Sequence, residues 1–329
     1  MSRASQSLAA GRDYRRTWGQ FMDWFADEES CHRFLERLRW PDGFVCPRCG
    51  ERGEPYRATR HRLMCRGCRA QCSVTAGTVF DKTRTPLRSW FAAVWYATNQ
   101  KHGVSALGLQ RVLGLGSYQT AWTMLHRLRR AMIRPGRERL AGVVEVDETY
   151  VGGPDPGSRK PRRKLRKKPT RPQSKKSIVV IAVEVLQPKG FGRVRLRRGG
   201  AADEDSLLPF VLESIEPGST VHTDGSAAYR SLADHGYVRD KTVILGSQDP
   251  AHVSLPAVHR VAALLKRWLL GTHHGSVQPH QLDAYLDEFT FRFNRRSSRS
   301  RGLLFYRLLE QVVATTPLTY RTLADKYNL

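Results

Sequence analysis

Four of the six cysteines fall in two Cys-x-x-Cys pairs, Cys46-Pro47-Arg48-Cys49 and Cys65-Arg66-Gly67-Cys68, separated by fifteen residues. This spacing lets two tight turns present four thiolates to one tetrahedral Zn²⁺, with Gly50 and Gly67 expected to ease the turns. The bland alternative is four unrelated thiols; a redox role would want a pair between a strand and a helix, and neither pair sits there. Carboxylates form the second chemically loaded group. Val143 to Tyr150 alternates apolar and acidic residues in what reads as a central strand, and charge inside a buried strand is costly unless it is paired or holds a metal. Val221-His222-Thr223-Asp224-Gly225 ends a second strand on Asp224. Two carboxylates on adjacent strands could hold one or two Mg²⁺ ions about 4 Å apart, the arrangement for in-line attack on a phosphodiester. Asp224-Gly225 is equally an ordinary turn dipeptide, and Glu145 or Glu148 has the plain alternative of facing solvent.

The elements that must position these groups divide the chain. A helical lead-in over residues 1–42 carries Phe21, Trp24, Phe25, Phe34, Leu35, Leu38 and Trp40 at helical spacing and stops at Pro41-Asp42-Gly43. Within the ribbon, residues 43–80, the stretch Cys46 to Cys72 is rich in Arg and poor in large apolar side chains, so a metal would stand in for a core. Its arginines (Arg48, Arg62, Arg66, Arg69) are expected to be displayed toward DNA. Residues 86–135 read as three helices, Leu87 to Thr98, Ser105 to Leu113 and Ser117 to Met132, with a Gly114-Leu115-Gly116 turn before the third. Leu109, Val112 and Leu113 are expected to face a core. This is the pattern of a helix-turn-helix whose last helix would offer Ser117, Tyr118, Gln119, Thr123 and His126 to the major groove and Arg127, Arg129 and Arg130 to phosphates. Any small helical hairpin shares that pattern, so the reading leans on charge as well. Residues 140–296 are mixed α/β, with strands expected at Gly142 to Val151, Ser177 to Leu186, Gly192 to Leu196, Thr220 to Thr223 and Thr242 to Leu245, and a helix at Asp203 to Ile215. Residues 297–329 form a C-terminal helical tail.

Charge narrows the partner. The 329 residues hold 55 Lys and Arg against 30 Asp and Glu, a net charge of +25, which points to a polyanion whose counterions are released on binding. An insertion at 156–176 concentrates this: Arg159 to Lys176 has 11 basic residues in 18 and no acid, a composition expected to stay disordered and to touch DNA nonspecifically or simply solubilise the chain. The longest apolar run, Ile178 to Val183, is far short of the roughly 18 residues a membrane span needs. Met1 to Arg16 lacks the apolar segment of a secretory signal, so a cytoplasmic place with access to the nucleoid is expected. In that reducing setting Cys31 and Cys72 read as small buried hydrophobes. The aromatic run Phe289, Phe291, Phe293 reads as core, and His273-His274 beside Gly271 as a helix cap or a surface contact.

Four segments together resemble one group of bacterial insertion-sequence transposases. They are Val-Asp-Glu-Thr-Tyr-Val-Gly-Gly (146–153), His-Thr-Asp-Gly-Ser-Ala-Ala-Tyr (222–229), Leu-Leu-Lys-Arg-Trp-Leu-Leu-Gly-Thr-His-His (264–274) and Tyr-Leu-Asp-Glu-Phe-Thr-Phe-Arg-Phe-Asn-Arg-Arg (285–296). Such enzymes are DDE-type, and the cysteine pairs with Ser73-Val74-Thr75-Ala76-Gly77-Thr78 fit their N-terminal zinc ribbon. The resemblance spans nearly everything from Cys46 to Arg296. It implies an RNase H-like, retroviral-integrase-like catalytic core preceded by the ribbon and the helix-turn-helix. It also implies catalytic Mg²⁺ or Mn²⁺, structural Zn²⁺, double-stranded DNA (element ends and target) as partner, and a homo-oligomer on DNA to pair two ends.

By the same resemblance Asp147 and Asp224 are the first two catalytic acids. The third is expected about 35 residues after Asp224, where this chain has His259, and no acid occurs between Asp249 and Asp283. Lys266 follows seven residues later on the same helical face. Imidazole suits Mn²⁺ or Zn²⁺ better than Mg²⁺, so His259 is read as a softer third ligand, a proton carrier, or the mark of a degenerate enzyme. Lys266 would contact DNA phosphate near the cut or be one more solvated cation. The expected function is metal-dependent strand cleavage and strand transfer at the terminal repeats. Its rivals are a nuclease of the same fold that does not join, and an inactive transposase-derived DNA-binding protein.

Overall fold

The computed structural model describes residues 8–152, 176–242, 254–275 and 277–325. The basic insertion lies outside these apart from Lys176, as does most of the strand expected at Thr242 to Leu245. The chain divides into two compact units, Met1–Arg134 with Ser297–Leu329, and Pro135–Arg296.

The first unit opens with helices α1 (Trp18–Trp24) and α2 (Glu28–Arg39), whose N-caps Thr17 and Asp27 accept hydrogen bonds from the backbone N–H of Gln20 and Ser30. A three-stranded antiparallel sheet follows, β1 (Tyr56–Ala58), β2 (Arg62–Met64) and β3 (Gln71–Ser73). Helices α3 (Leu87–Asn99), α4 (Ala106–Leu113) and α5 (Tyr118–Ala131) come next, with Ser105 and Ser117 as side-chain caps of the last two and Gly114 in the left-handed conformation ending α4. From the end of the chain, α9 (Arg301–Ala314) packs against α3 and α2, followed by α10 (Tyr320–Asp325). Phe21, Phe25, Phe91 and Phe305 form an aromatic core with ring centroids 4.8–5.8 Å apart. The backbone carbonyl of Arg15 lies against Gly302, where a Cβ would stand only 1.5 Å from its oxygen.

The second unit is a five-stranded sheet in the order β6-β5-β4-β7-β8. Its strands are β4 (Val143–Val151), β5 (Ser177–Val185), β6 (Phe191–Gly199), β7 (Thr220–Asp224) and β8 (Val238–Thr242). β4, β5 and β6 pair antiparallel, whereas β7 runs parallel to both β4 and β8. The eighth strand begins four residues before the expected Thr242, because its charged sequence (Val-Arg-Asp-Lys-Thr) at the sheet edge hides its strand character. One face, with Val144, Val146, Val180 and Ala182, is covered by α6 (Glu204–Ser214) and the 3₁₀ helix Ala227–His235. The opposite face, with Val179, Ile181 and Val183, is covered by α7 (Pro256–His273) and α8 (Leu282–Phe293). The aromatic run of α8 is core: Phe289, Phe291 and Phe293 are all buried. Among the described residues no helix is long and apolar enough to cross a membrane.

Candidate metal centres and nucleic-acid interface

The four ribbon cysteines converge. Their Sγ atoms all lie within 4.8 Å of one another, with Cys46 to Cys68 at 3.7 Å and Cys49 to Cys65 at 3.6 Å. Thiolates placed tetrahedrally at about 2.3 Å from a zinc ion stand about 3.8 Å apart, so the cluster has the dimensions of a closed structural site. The backbone N–H groups of Cys49 and Arg48 point at Cys46 and lower its thiol pKa. Phe44 and Leu63 with Cys46 and Cys65 make the small core around the site. One detail departs from expectation: Gly50 does take a positive φ of 76°, but in the second turn the left-handed residue is Arg69 (φ 58°), not Gly67. Arg69 and Gly50 occupy the same place, one residue after the second cysteine of each pair, and the second turn tolerates a side chain there. Cys31 is fully buried and its thiol is pushed up to about 12, chiefly by that burial; Cys72 is half-buried beside the ribbon core.

In the second unit, strand pleating sorts the acids. β4 and β7 run parallel with Glu145 opposite His222, so two residues on, Asp147 and Asp224 stand level. Side chains two apart share a face, which places Glu145, Asp147, His222 and Asp224 on the α7 side. There His259 approaches, its Nε2 3.7 Å from Asp147 Oδ2. Burial pushes the Asp147 carboxyl up to about 6. Lys266 is exposed on α7, two turns or about 10.5 Å along the axis from His259. The structure thus brings Asp147, at the middle of β4, level with Asp224, at the end of β7, with His259 beside Asp147 and Lys266 on the same helix as His259. Among the described residues, only the cysteines form a group of three or more metal-ligand side chains whose donor atoms converge within 4.8 Å.

Two further acids belong to this region in ways the sequence left open, and neither faces solvent. Glu145 is 4% exposed, and its Oε2 accepts a hydrogen bond from the Val258 N–H at 2.9 Å, in the first turn of α7. Burial raises its pKa, and the backbone N–H groups of Val258 and Ala257 oppose that shift. Two positions before Asp147 on the same face, Glu145 therefore fastens the helix carrying His259 to the strand carrying Asp147. Glu148 points to the other face, where the Tyr229 hydroxyl donates to its Oε1 at 2.5 Å; burial lifts its pKa to about 7. His222 shares a hydrogen bond with the Thr242 hydroxyl at 2.7 Å. The period-two spacing of Glu145 and Asp147, and of His222 and Asp224, was a signal for their shared face; the partner of Glu145 lies 113 residues away and had none.

The surface of α5 differs from expectation in part. Tyr118, Gln119 and Arg130 are exposed, Ser117 caps the helix, and the Thr123 hydroxyl donates to the Gln119 carbonyl. Arg127 is half-buried and donates to the Val79 carbonyl. His126 (1% exposed) and Arg129 (2%) are buried, because the face that packs onto the neighbouring helices also takes in Met124, Leu125 and Leu128; neither reaches a groove. On α4, Leu109 is buried as expected, whereas Val112 is 55% exposed. His274 takes the left-handed C-cap position of α7.

Residues 139–294 match the ISXO2-like transposase domain, and residues 26–71 match the transposase zinc-ribbon domain. A Halobacterium salinarum protein described as an uncharacterized protein in transposable element ISH50 is 29% identical over 277 residues, 82% of this chain and 91% of that one. Two solved structures align at low similarity. The crystal structure of a pre-cleavage Mos1 transpososome is 12% identical, over 68% of this chain and 75% of that one, with a TM-score of 0.26. The Mos1 transposase paired-end complex with the left transposon end is 13% identical over 84% and 89%, with a TM-score of 0.23. A transposase zinc-ribbon domain and an ISXO2-like transposase domain thus follow one another in a single chain that is similar over most of its length to a transposable-element protein.

Proposed function

We propose that this protein is a DDE-type DNA transposase that binds the terminal repeats of its insertion sequence, cuts one strand at each end and joins the freed 3′-hydroxyl to target DNA. The observation that carries the reading is the level placement of Asp147 and Asp224 on adjacent parallel strands, with His259 3.7 Å from Asp147. The five-stranded sheet with helices on both faces supports an RNase H-like core.

The residues that would hold a divalent ion are Asp147, Asp224 and His259. Two carboxylates with one imidazole fit Mn²⁺ at least as well as Mg²⁺. Such an ion supplies Lewis acidity at the scissile phosphate and offsets charge developing in an in-line displacement. The chain's own residues do the rest. Burial raises the Asp147 carboxyl to about 6, and His259 Nε2 stands 3.7 Å from it. Glu145 holds the first turn of α7, and with it His259, against β4. Lys266 offers an exposed ammonium to a DNA phosphate along the same helix. Cleavage and joining are both displacements at phosphorus by an oxygen nucleophile, so neither requires a covalent link between protein and DNA.

The ribbon supplies structure through Zn²⁺ on Cys46, Cys49, Cys65 and Cys68. Helices α4 and α5 act as a helix-turn-helix in which Ser117, Tyr118, Gln119, Thr123, Arg127 and Arg130 face the element end, and pairing of two ends calls for a homo-oligomer on DNA. The test is cleavage and joining of duplexes carrying the element's own ends. Asp147→Ala is expected to abolish both while leaving end binding intact; unchanged products from Asp147→Ala would overturn the assignment.

A further inference from the structure

A cavity of about 260 Å³ opens beside the first turns of α5, between that helix and the segment leading into α3. Lys82, Arg84 and Arg127 line it together with Gln119, Thr120 and Thr123, and no acidic residue does. Lys82 and Arg84 are exposed and make no ion pair among the described residues. Lys82 holds a left-handed backbone (φ 52°), a conformation that residues with a Cβ ordinarily avoid, and lines the cavity. Deeper in, the half-buried Arg127 guanidinium spends one nitrogen on the Val79 carbonyl at 3.3 Å, while its buried Nε has no hydrogen-bond partner. Three cations, a carboxamide and threonine hydroxyls around one cavity, with a buried donor unsatisfied, are the chemistry of a site for a tetrahedral oxyanion.

We propose that this cavity seats one backbone phosphate of duplex DNA and fixes the register of α5 in the major groove. The assignment rests on the reading of the protein as a DNA transposase. It adds Lys82 and Arg84, which lie outside the helix-turn-helix, to the DNA contacts. A backbone phosphate is the occupant because the cavity adjoins Gln119 and Thr123, on the helix turned toward DNA, and because phosphate contacts position a recognition helix without reading sequence.

The test is equilibrium binding of the full chain to duplex DNA over a range of salt concentrations, for wild type, Lys82→Ala and Arg84→Ala, with an element-end duplex and a random one. Both side chains are exposed, so their removal leaves the core untouched. Each variant is expected to lower affinity equally for the two duplexes. Each is also expected to reduce the slope of log affinity against log salt, by at most about 0.9, the value for one whole phosphate contact. Unchanged slopes in both variants would overturn the proposal, as would a loss confined to the element-end duplex. A third arm titrates inorganic phosphate into the protein by calorimetry. Binding heat abolished by both substitutions, with DNA slopes unchanged, would assign the cavity to a free anion and also overturn it. If wild type itself binds both duplexes without salt dependence, the failure belongs to the transposase reading, before any variant is compared.

Discussion

Removing the Glu145 side chain tests whether the architecture of the acid site rests on a buried tether. Glu145→Ala deletes the acceptor of the Val258 N–H hydrogen bond, 2.9 Å long and almost wholly out of water. A buried donor left unsatisfied costs about 1–3 kcal/mol, and loss of a helix cap about 0.5–2 kcal/mol. These overlap because they concern the same N–H groups, so a loss of about 2 kcal/mol is expected in chemical denaturation of the second unit's transition. The first turn of α7 carries His259, and a displacement of about 1 Å at a reacting group is enough for roughly a hundredfold loss of rate. Glu145→Gln keeps an oxygen of the same shape for the Val258 N–H and is expected to retain stability within about 1 kcal/mol and most of the strand-cleavage rate. Wild-type stability and rate in Glu145→Ala would refute the tether. Abolished cleavage in a fully stable Glu145→Gln would refute it differently, making Glu145 a metal ligand instead of a positioning residue.

Three other outcomes follow from the packing. Chelation of zinc, or Cys65→Ser, is expected to unfold the ribbon with release of one zinc per chain, seen by metal analysis and by loss of the β1–β3 amide protection, since Phe44 and Leu63 have little core of their own. Gly302→Ala places a Cβ 1.5 Å from the Arg15 carbonyl oxygen, and because backbone has to move, thermal unfolding should report a loss of at least about 1–3 kcal/mol. Asp287 on α8 is pushed up to about 7, chiefly by burial, with Arg137 opposing. A carboxyl whose folded pKa is raised favours folding below its unfolded pKa and loses that advantage as pH rises toward 7, so Asp287→Asn should raise Tm relative to wild type at pH 8 and leave it unchanged near pH 3.5.

What the sequence made legible is local chemistry. Ser105, Ser117 and Asp203 stand where the helices begin because a short oxygen-bearing side chain is the cheapest partner for a free N–H of a first turn. The cysteine pairs announced their own convergence. Burial that depends on distant partners was not legible. His126 and Arg129 look like groove-facing residues along α5, yet they lie on the face that packs inward. Val112 looks like core and is exposed, since α4 is only eight residues long and buries Leu109 alone of the three apolar side chains expected inside. The ribbon's three-residue strands carry no period that short segments can display. At the acid site, the pairing of β4 with β7 and the closeness of His259 to Asp147 come from contacts across 77 residues (Glu145 to His222) and 112 residues (Asp147 to His259), for which the resemblance to known transposases was the available guide.

The most direct measurement is cleavage and joining of labelled duplexes bearing the element's own ends, in Mg²⁺ and in Mn²⁺, by wild type, Asp224→Ala and His259→Glu. Metal-dependent 3′-end cleavage and strand transfer are expected from wild type, with Mn²⁺ at least as effective as Mg²⁺. Both products should vanish in Asp224→Ala, and His259→Glu should shift the preference toward Mg²⁺. Tight end binding with no products in either metal, and none restored by His259→Glu, would contradict the account and leave a DNA-binding protein without catalytic function.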